Sequence, residues 1–368
     1  MKKFMYRIIA AVITLAMLVT TLPLSVFAAE IRAQEAEGGQ TGAGSNITTN
    51  QTSEYIEMSD GYISTKVSLK NGGFWVGTAE GDVITKQDDD KDLMYNDSSF
   101  DTSFTSFRVT KGGKTADYIF GRDYAYMGID TSKVSVTQFS NAIIATWTVD
   151  GIEFEQTIAL MGTDTYQHGM VYVSYRAINR GKDKIDNIEA RVLVDTALGD
   201  IDYGYYMLGQ TDGSYVEVVE EKAVKGSDYS NYFFAYDDKV SPTVTAYTLN
   251  GTVGGEAIVP KKVTFAHWMD LASTVFDYTP SETNPTNFTE IYGSIDKLTA
   301  DSAFALYYDM GGADVIPEST EDTEAEGPAI SFYYGVYSNR KAESTDIAVN
   351  FTSSGTMFFD EGYRGRDD

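Results

Sequence analysis

From Tyr55 onward the chain repeats one pattern: runs of alternating apolar and polar side chains, each closed by a short cluster of Gly, Asp, Asn or Ser. Alternation with period two marks a strand with one buried face, and the turn clusters mark its ends. Residues 104–109 run toward Lys111-Gly112-Gly113-Lys114, and Tyr118-Ile119-Phe120 returns, which predicts a hairpin. Three further runs, 134–139, 143–149 and 152–160, are joined by Ser140-Asn141 and Asp150-Gly151. Two-residue joints of this kind make an antiparallel meander, and Asp-Gly favours the type I′ turn because both positions need positive φ. Residues 170–178 and 188–194 are expected to pair with each other across the polar loop 179–186. Runs at 244–249, 263–267, 303–308 and 330–337 continue the theme, with almost no helical periodicity. The pattern predicts an all-β fold, a large two-sheet antiparallel sandwich with few or no helices in the domain.

The two ends read differently. Lys2, Lys3 and Arg7 precede an uncharged apolar stretch from Ile8 to Leu24, and Val26-Phe27-Ala28 offers small residues before the polar Glu30. That order defines a secretory signal peptide over residues 1–28, with Pro23 and the cleavage-like site favouring removal over retention as an anchor. Residues 29–54 are polar and almost free of large apolar side chains, which predicts a flexible linker. A single domain is expected over 55–358, with an acidic, mobile excursion at 311–328 and a polar tail at 359–368. No second apolar stretch of spanning length follows the signal, so the expected location is extracellular, in solution or at a cell surface.

Composition narrows the chemistry. With no cysteine and two histidines, the 368 residues cannot build disulfides, thiolate metal sites or a His-rich centre. The formal charge of -26 argues against nucleic acid and against anionic membrane as partners, since both require a basic footprint. Gly112-Gly113-Lys114-Thr115 lies in a hairpin and lacks the first glycine of a phosphate loop, and Asp88-Asp89-Asp90-Lys91-Asp92 lacks the Gly and Glu of an EF-hand. No G-x-S-x-G or H-E-x-x-H motif occurs.

Several phrases occur together: 102–109 (TSFTSFRV), 118–121 (YIFG), 192–202 (VLVDTALGDID), 263–268 (VTFAHW), 302–308 (SAFALYY) and 332–335 (FYYG). In combination they resemble the β-supersandwich, galactose-mutarotase-like domains of secreted and surface proteins of Clostridia and related gut bacteria, over about residues 55–340. The resemblance implies an antiparallel supersandwich in an extracellular setting and no established catalytic role. Epimerases of the mutarotase fold use histidines beside a carboxylate, and neither His168 nor His267 stands in such a motif, so both read as structural histidines.

Two groups of residues carry candidate binding chemistry. Asp195, Asp200 and Asp202 cluster at a strand end beside Gly199 and Gly204, where a tight loop can aim carboxylates at one point, as Ca²⁺ requires. Tyr203, Tyr205 and Tyr206, with Tyr232 and Tyr236 farther on, place aromatic rings next to that acidic loop. Aromatic faces stack on sugar rings while carboxylates accept from hydroxyls, so a glycan or another host or cell-wall surface ligand is the expected partner. The favoured reading is a non-catalytic extracellular binding module, ahead of a structural or adhesive spacer and of a two-carboxylate carbohydrate-active enzyme.

Overall fold

The computed structural model describes residues 47–336, apart from 82–85, 96–97, 123–132, 161–168, 211–213, 229–231, 239–241, 254–255, 284–300 and 318–326. The signal peptide, most of the linker, the C-terminal tail and His168 lie outside the described residues.

In chain order the first strands are β1 (Thr48–Gln51), β2 (Tyr55–Ser59), β3 (Ile63–Ser68), β4 (Phe74–Thr78), β5 (Phe104–Lys111) and β6 (Lys114–Phe120). The meander follows as β7 (Val134–Gln138), β8 (Ala142–Val149) and β9 (Ile152–Leu160), then β10 (Met170–Asn179) and β11 (Ile185–Asp195). Next come β12 (Tyr205–Gly209), β13 (Tyr215–Glu217), β14 (Lys222–Lys225), β15 (Tyr232–Tyr236) and β16 (Thr245–Asn250). The chain continues with β17 (Thr252–Val253), β18 (Glu256–Ala257), β19 (Lys262–His267), the short helix α1 (Trp268–Ala272), β20 (Ser302–Ala313) and β21 (Ala329–Gly335).

Two large antiparallel sheets dominate. One has nine strands in the order β13-β12-β15-β16-β21-β10-β9-β8-β7, the other six in the order β14-β19-β20-β11-β5-β6. A four-stranded sheet, β1-β2-β3-β4, and the small β17-β18 hairpin complete the set. The inner faces of the large sheets meet in one apolar core. There Phe107 stacks on Phe154 with ring centres 4.1 Å apart, and Phe233 meets Phe304 edge-on at 4.9 Å. Alternation along β11 sends Val192 and Val194 into this core and Leu193 to the outer face, where α1 covers it with Leu271 and Ala272. Aromatic and β-branched residues at these inward positions are what hold the sheets together.

The expected hairpin and meander are present. Residues 104–120 form the β5–β6 hairpin around Gly112 and Gly113, and Asp150 (φ 51°) and Gly151 (φ 78°) turn β8 into β9 as a type I′ joint.

One expected pairing is corrected, and ordered structure is found at the edges of two further segments. β10 and β11 do not pair: β10 lies between β9 and β21, and β11 lies between β5 and β20 in the other sheet. The loop between them is a crossover, stapled by Asn179, whose Nδ2 donates to the Asp183 and Ala313 carbonyls. Within the supposed linker, Thr48–Gln51 pair with β2 although all four side chains are exposed, so backbone pairing without burial escapes a hydrophobic pattern. The excursion at 311–328 begins inside β20, and its residues 315–316 are held to Asn179 through the Val315 bridge and the Ile316 N–H.

Candidate functional site

β11 ends at Asp195, beside the start of β20, because Asp195 and Ala303 are register partners. On β11 the outer-face alternation that exposes Leu193 to α1 also places Asp195 on that side. The backbone there is fixed: the Asp195 N–H donates to Ser103 Oγ at 2.9 Å, and its carbonyl accepts from the Tyr95 N–H at 3.0 Å. Beyond it, Leu198 and Ile201 exchange hydrogen bonds of 2.9 and 3.3 Å, closing a tight turn with Gly199 (φ 62°) and Asp200 at the tip. The turn sends the chain back, so Asp202 returns to Asp195. Asp301, one residue before β20, joins them through the β11–β20 pairing.

Asp195, Asp202 and Asp301 bring one carboxylate oxygen each to within 4.8 Å of one another. Asp195 is 2% exposed, and Oδ1 of each of the three is buried with no hydrogen-bond partner. Asp200, expected in this cluster, is exposed on the turn tip and outside it. Asp301 takes the third place. Burial raises all three carboxyls: Asp202 to about 6, with His267 opposing, and Asp301 to about 7, with the Asp202 charge adding to it. For Asp195 burial and then the charges of Asp301 and Asp202 lift it well above the usual carboxylate range. Tyr95 stands near enough for all three carboxylates to raise its phenol. His267 caps the start of α1, its Nδ1 accepting from the Met269 N–H at 3.2 Å, which is a structural use of the ring.

The tyrosines divide by strand alternation. Tyr206 points inward and is fully buried. Its ring packs on Phe265 at 4.9 Å, and its hydroxyl donates to Thr196 Oγ1 at 2.9 Å. It is a core residue and cannot meet a ligand. Tyr205 faces outward on the nine-stranded sheet, with Tyr236 as its cross-strand partner. From there the rings form a chain: Tyr205–Tyr236 at 5.8 Å, Tyr236–Phe234 at 6.1 Å, Phe234–Tyr247 at 5.4 Å and Phe234–Tyr215 at 5.4 Å. Tyr215 and Tyr232 share a hydroxyl–hydroxyl hydrogen bond of 2.8 Å. Tyr203 is largely buried and meets Tyr205 edge-on at 5.7 Å. The Tyr205 phenol is raised to about 12, by partial burial first, then by Tyr203 and by the nearby carboxylates of Asp238 and Glu217. The structure thus gathers Tyr205, Tyr232 and Tyr236 on one half-buried face and adds Tyr215 and Tyr247, with Phe234 buried among them. The period of two in β12 and β15 was the signal that could have found this face, and that could have excluded Tyr206.

No family model and no curated protein matches the chain. Among solved structures it is similar to a galactose mutarotase related enzyme from Lactobacillus acidophilus, with 10% identity over 78% of this chain and 96% of that one at a TM-score of 0.36. It is similar also to a galactose mutarotase-like protein from Lactobacillus casei, with 10% identity over 79% and 99% of the two chains at a TM-score of 0.35. A polysaccharide lyase aligns at a TM-score of 0.38 with 10% identity, covering 78% of this chain and 33% of the lyase. At such scores no residue of those proteins maps onto this chain. Among the described residues no helix is long and apolar enough to cross a membrane.

Proposed function

We propose that this protein is a non-catalytic, exported β-sandwich module that binds a neutral saccharide on the outer aromatic face of its nine-stranded sheet. The observation that carries this reading is the set of half-buried rings Tyr205, Tyr236 and Tyr247, joined through Phe234, which at 3% exposed backs them and does not itself meet solvent. The solvated face of an antiparallel sheet ordinarily alternates to polar side chains, and this one does not. Flat aromatic surface suits the C–H face of a pyranose, and tyrosine hydroxyls with the nearby Asp238 and Glu217 suit its hydroxyls. A formal charge of -26 disfavours uronates and sulfated glycans, which leaves neutral polymers as the matching class.

The test is a panel of soluble neutral and acidic oligosaccharides, followed by titration calorimetry on the purified chain. Selective binding of a neutral member is expected. Tyr205→Ala and Tyr236→Ala should each weaken it by about tenfold, in line with about 1–1.5 kcal/mol per stacked ring. Silence across the panel, or unchanged affinity in both variants, would overturn the assignment.

A further inference from the structure

We propose that Asp195, Asp202 and Asp301 bind one hard divalent cation, Ca²⁺, at the junction of β11, β20 and the loop after β11. The geometric basis is the convergence of three carboxylate oxygens within 4.8 Å, inside the roughly 5 Å that opposite oxygens of a Ca²⁺ shell span. A group of acids alone would say little. The independent observation is the state of those carboxylates: Asp195, one of whose oxygens meets the other two groups within 4.8 Å, is 2% exposed, and its Oδ1 is buried with no donor among the described residues. Oδ1 of Asp202 and of Asp301 share that condition.

Buried acceptors in folded proteins are nearly always matched by a donor, and here each of three clustered carboxylates carries one buried oxygen unmatched among the described residues. Asp195 and Asp301 hydrogen-bond to each other and Thr102 reaches Asp195, which satisfies the oxygens so joined and leaves the unmatched ones bare, whereas a cation can draw on all three carboxylates. The donor set is all oxygen, which suits a hard ion and excludes soft metals. Ca²⁺ is preferred over Mg²⁺ because Mg²⁺ gives up its water reluctantly, and the nearly inaccessible Asp195 leaves little room for a hydrated ion. The chain around the cluster is already fixed: Ser103 holds the Asp195 backbone, the Leu198–Ile201 turn returns Asp202, and the Asp301 carbonyl accepts from the Trp268 N–H at 3.0 Å. Such a site is preorganised by its own backbone. The proposal stands apart from the saccharide reading, because it concerns a different set of side chains.

The experiment uses the purified chain stripped with a chelator and titrated with Tb³⁺, whose emission is sensitised through tyrosine; Tyr95 lies beside the carboxylates. Emission saturating at one ion per chain is expected, displaced by Ca²⁺ in preference to Mg²⁺, and Ca²⁺ should raise the thermal midpoint. Asp202→Asn and Asp301→Asn should each weaken binding by at least about tenfold. Near-UV circular dichroism is the control that both remain folded; should either fail it, the other variant and the Ca²⁺ shift of the parent chain decide. Absence of displaceable emission together with an unchanged midpoint would overturn the proposal and leave the carboxyls as proton-sharing groups. Binding that survives both substitutions would overturn it by moving the ion to the acidic surface, and preference for Mg²⁺ would overturn the assignment of Ca²⁺.

Discussion

At the scale of single residues, the buried carboxyls give stability an unusual dependence on pH. Asp202 and Asp301 titrate near 6 and 7 in the folded chain, and Asp195 above the usual range, against about 3.9 for an unfolded aspartate. Between these limits the native state holds more protons than the unfolded state, so stability must fall as pH rises. The favourable contribution is fully present below about pH 4 and lost as pH passes about 6 to 7. His267 opposes the rise of Asp202 and shares the neighbourhood with Tyr95, and neither reverses the direction. In chelator, the thermal midpoint is expected to drop between pH 5 and pH 8, and the Asp202→Asn, Asp301→Asn double variant should flatten that drop. A parent midpoint that climbs over this interval would refute the assignment of raised carboxyls. Sequence pattern showed two of the three members of this group. Asp195 and Asp202 stand seven positions apart and were legible together, but Asp301 reaches them only through the pairing of Asp195 with Ala303, which no local pattern displays. Asp200 was misplaced for a readable reason, since Gly199 and Asp200 form a turn tip that leaves Asp200 exposed.

At the scale of elements, the C-terminal end of the five-residue helix α1 is tied to the rest of the fold by two buried arginines. Arg191, fully buried on β11, donates from Nη2 to the Leu271 carbonyl at 2.7 Å and from Nη1 to Thr274 at 2.8 Å and Val275 at 3.3 Å. Arg122 adds a bond of 3.1 Å to Ala272. Helix ends expose carbonyls that need partners; Ser273 and Thr274 serve Met269, Asp270 and Leu271, and the arginines add bonds to Leu271, Ala272 and the two residues beyond the cap. Arg191→Leu would leave the half-buried Thr274 and Val275 carbonyls without this donor, while Leu271 keeps Thr274 Oγ1 at 3.0 Å, and a loss of about 2 kcal/mol is expected in urea unfolding. Arg191→Lys should recover little, because an ammonium cannot fork toward three carbonyls. A loss under about 1 kcal/mol would show that α1 is held by its apolar contacts instead. Neither this helix nor its arginine caps could be foreseen: Arg191 lies in a strand and its partners lie about 80 positions away. The strands themselves were largely legible, because period-two alternation and Asp-Gly turns are local. The pairing of β10 with β21 and of β11 with β20 was not, since both strands are buried nearly throughout and adjacency along the chain favoured the wrong partner.

For the whole molecule, the dominant quantity is a formal charge of -26 carried by 54 acidic and 28 basic side chains. Compact folding concentrates that charge, and self-repulsion works against the native state. Salt screens it over a Debye length that falls from about 30 Å at 0.01 M to about 8 Å at 0.15 M. The thermal midpoint is therefore expected to rise as NaCl is added from low to physiological concentration. A neutral saccharide carries no charge for that field to act on, and stacking on Tyr205 and Tyr236 is short-range, so its dissociation constant should stay within about twofold over the same series. The two responses must separate if both readings hold: stability climbs while affinity stays level. Affinity that falls steeply with salt would identify a cationic partner drawn by the acidic surface, and would remove the aromatic face from the centre of recognition.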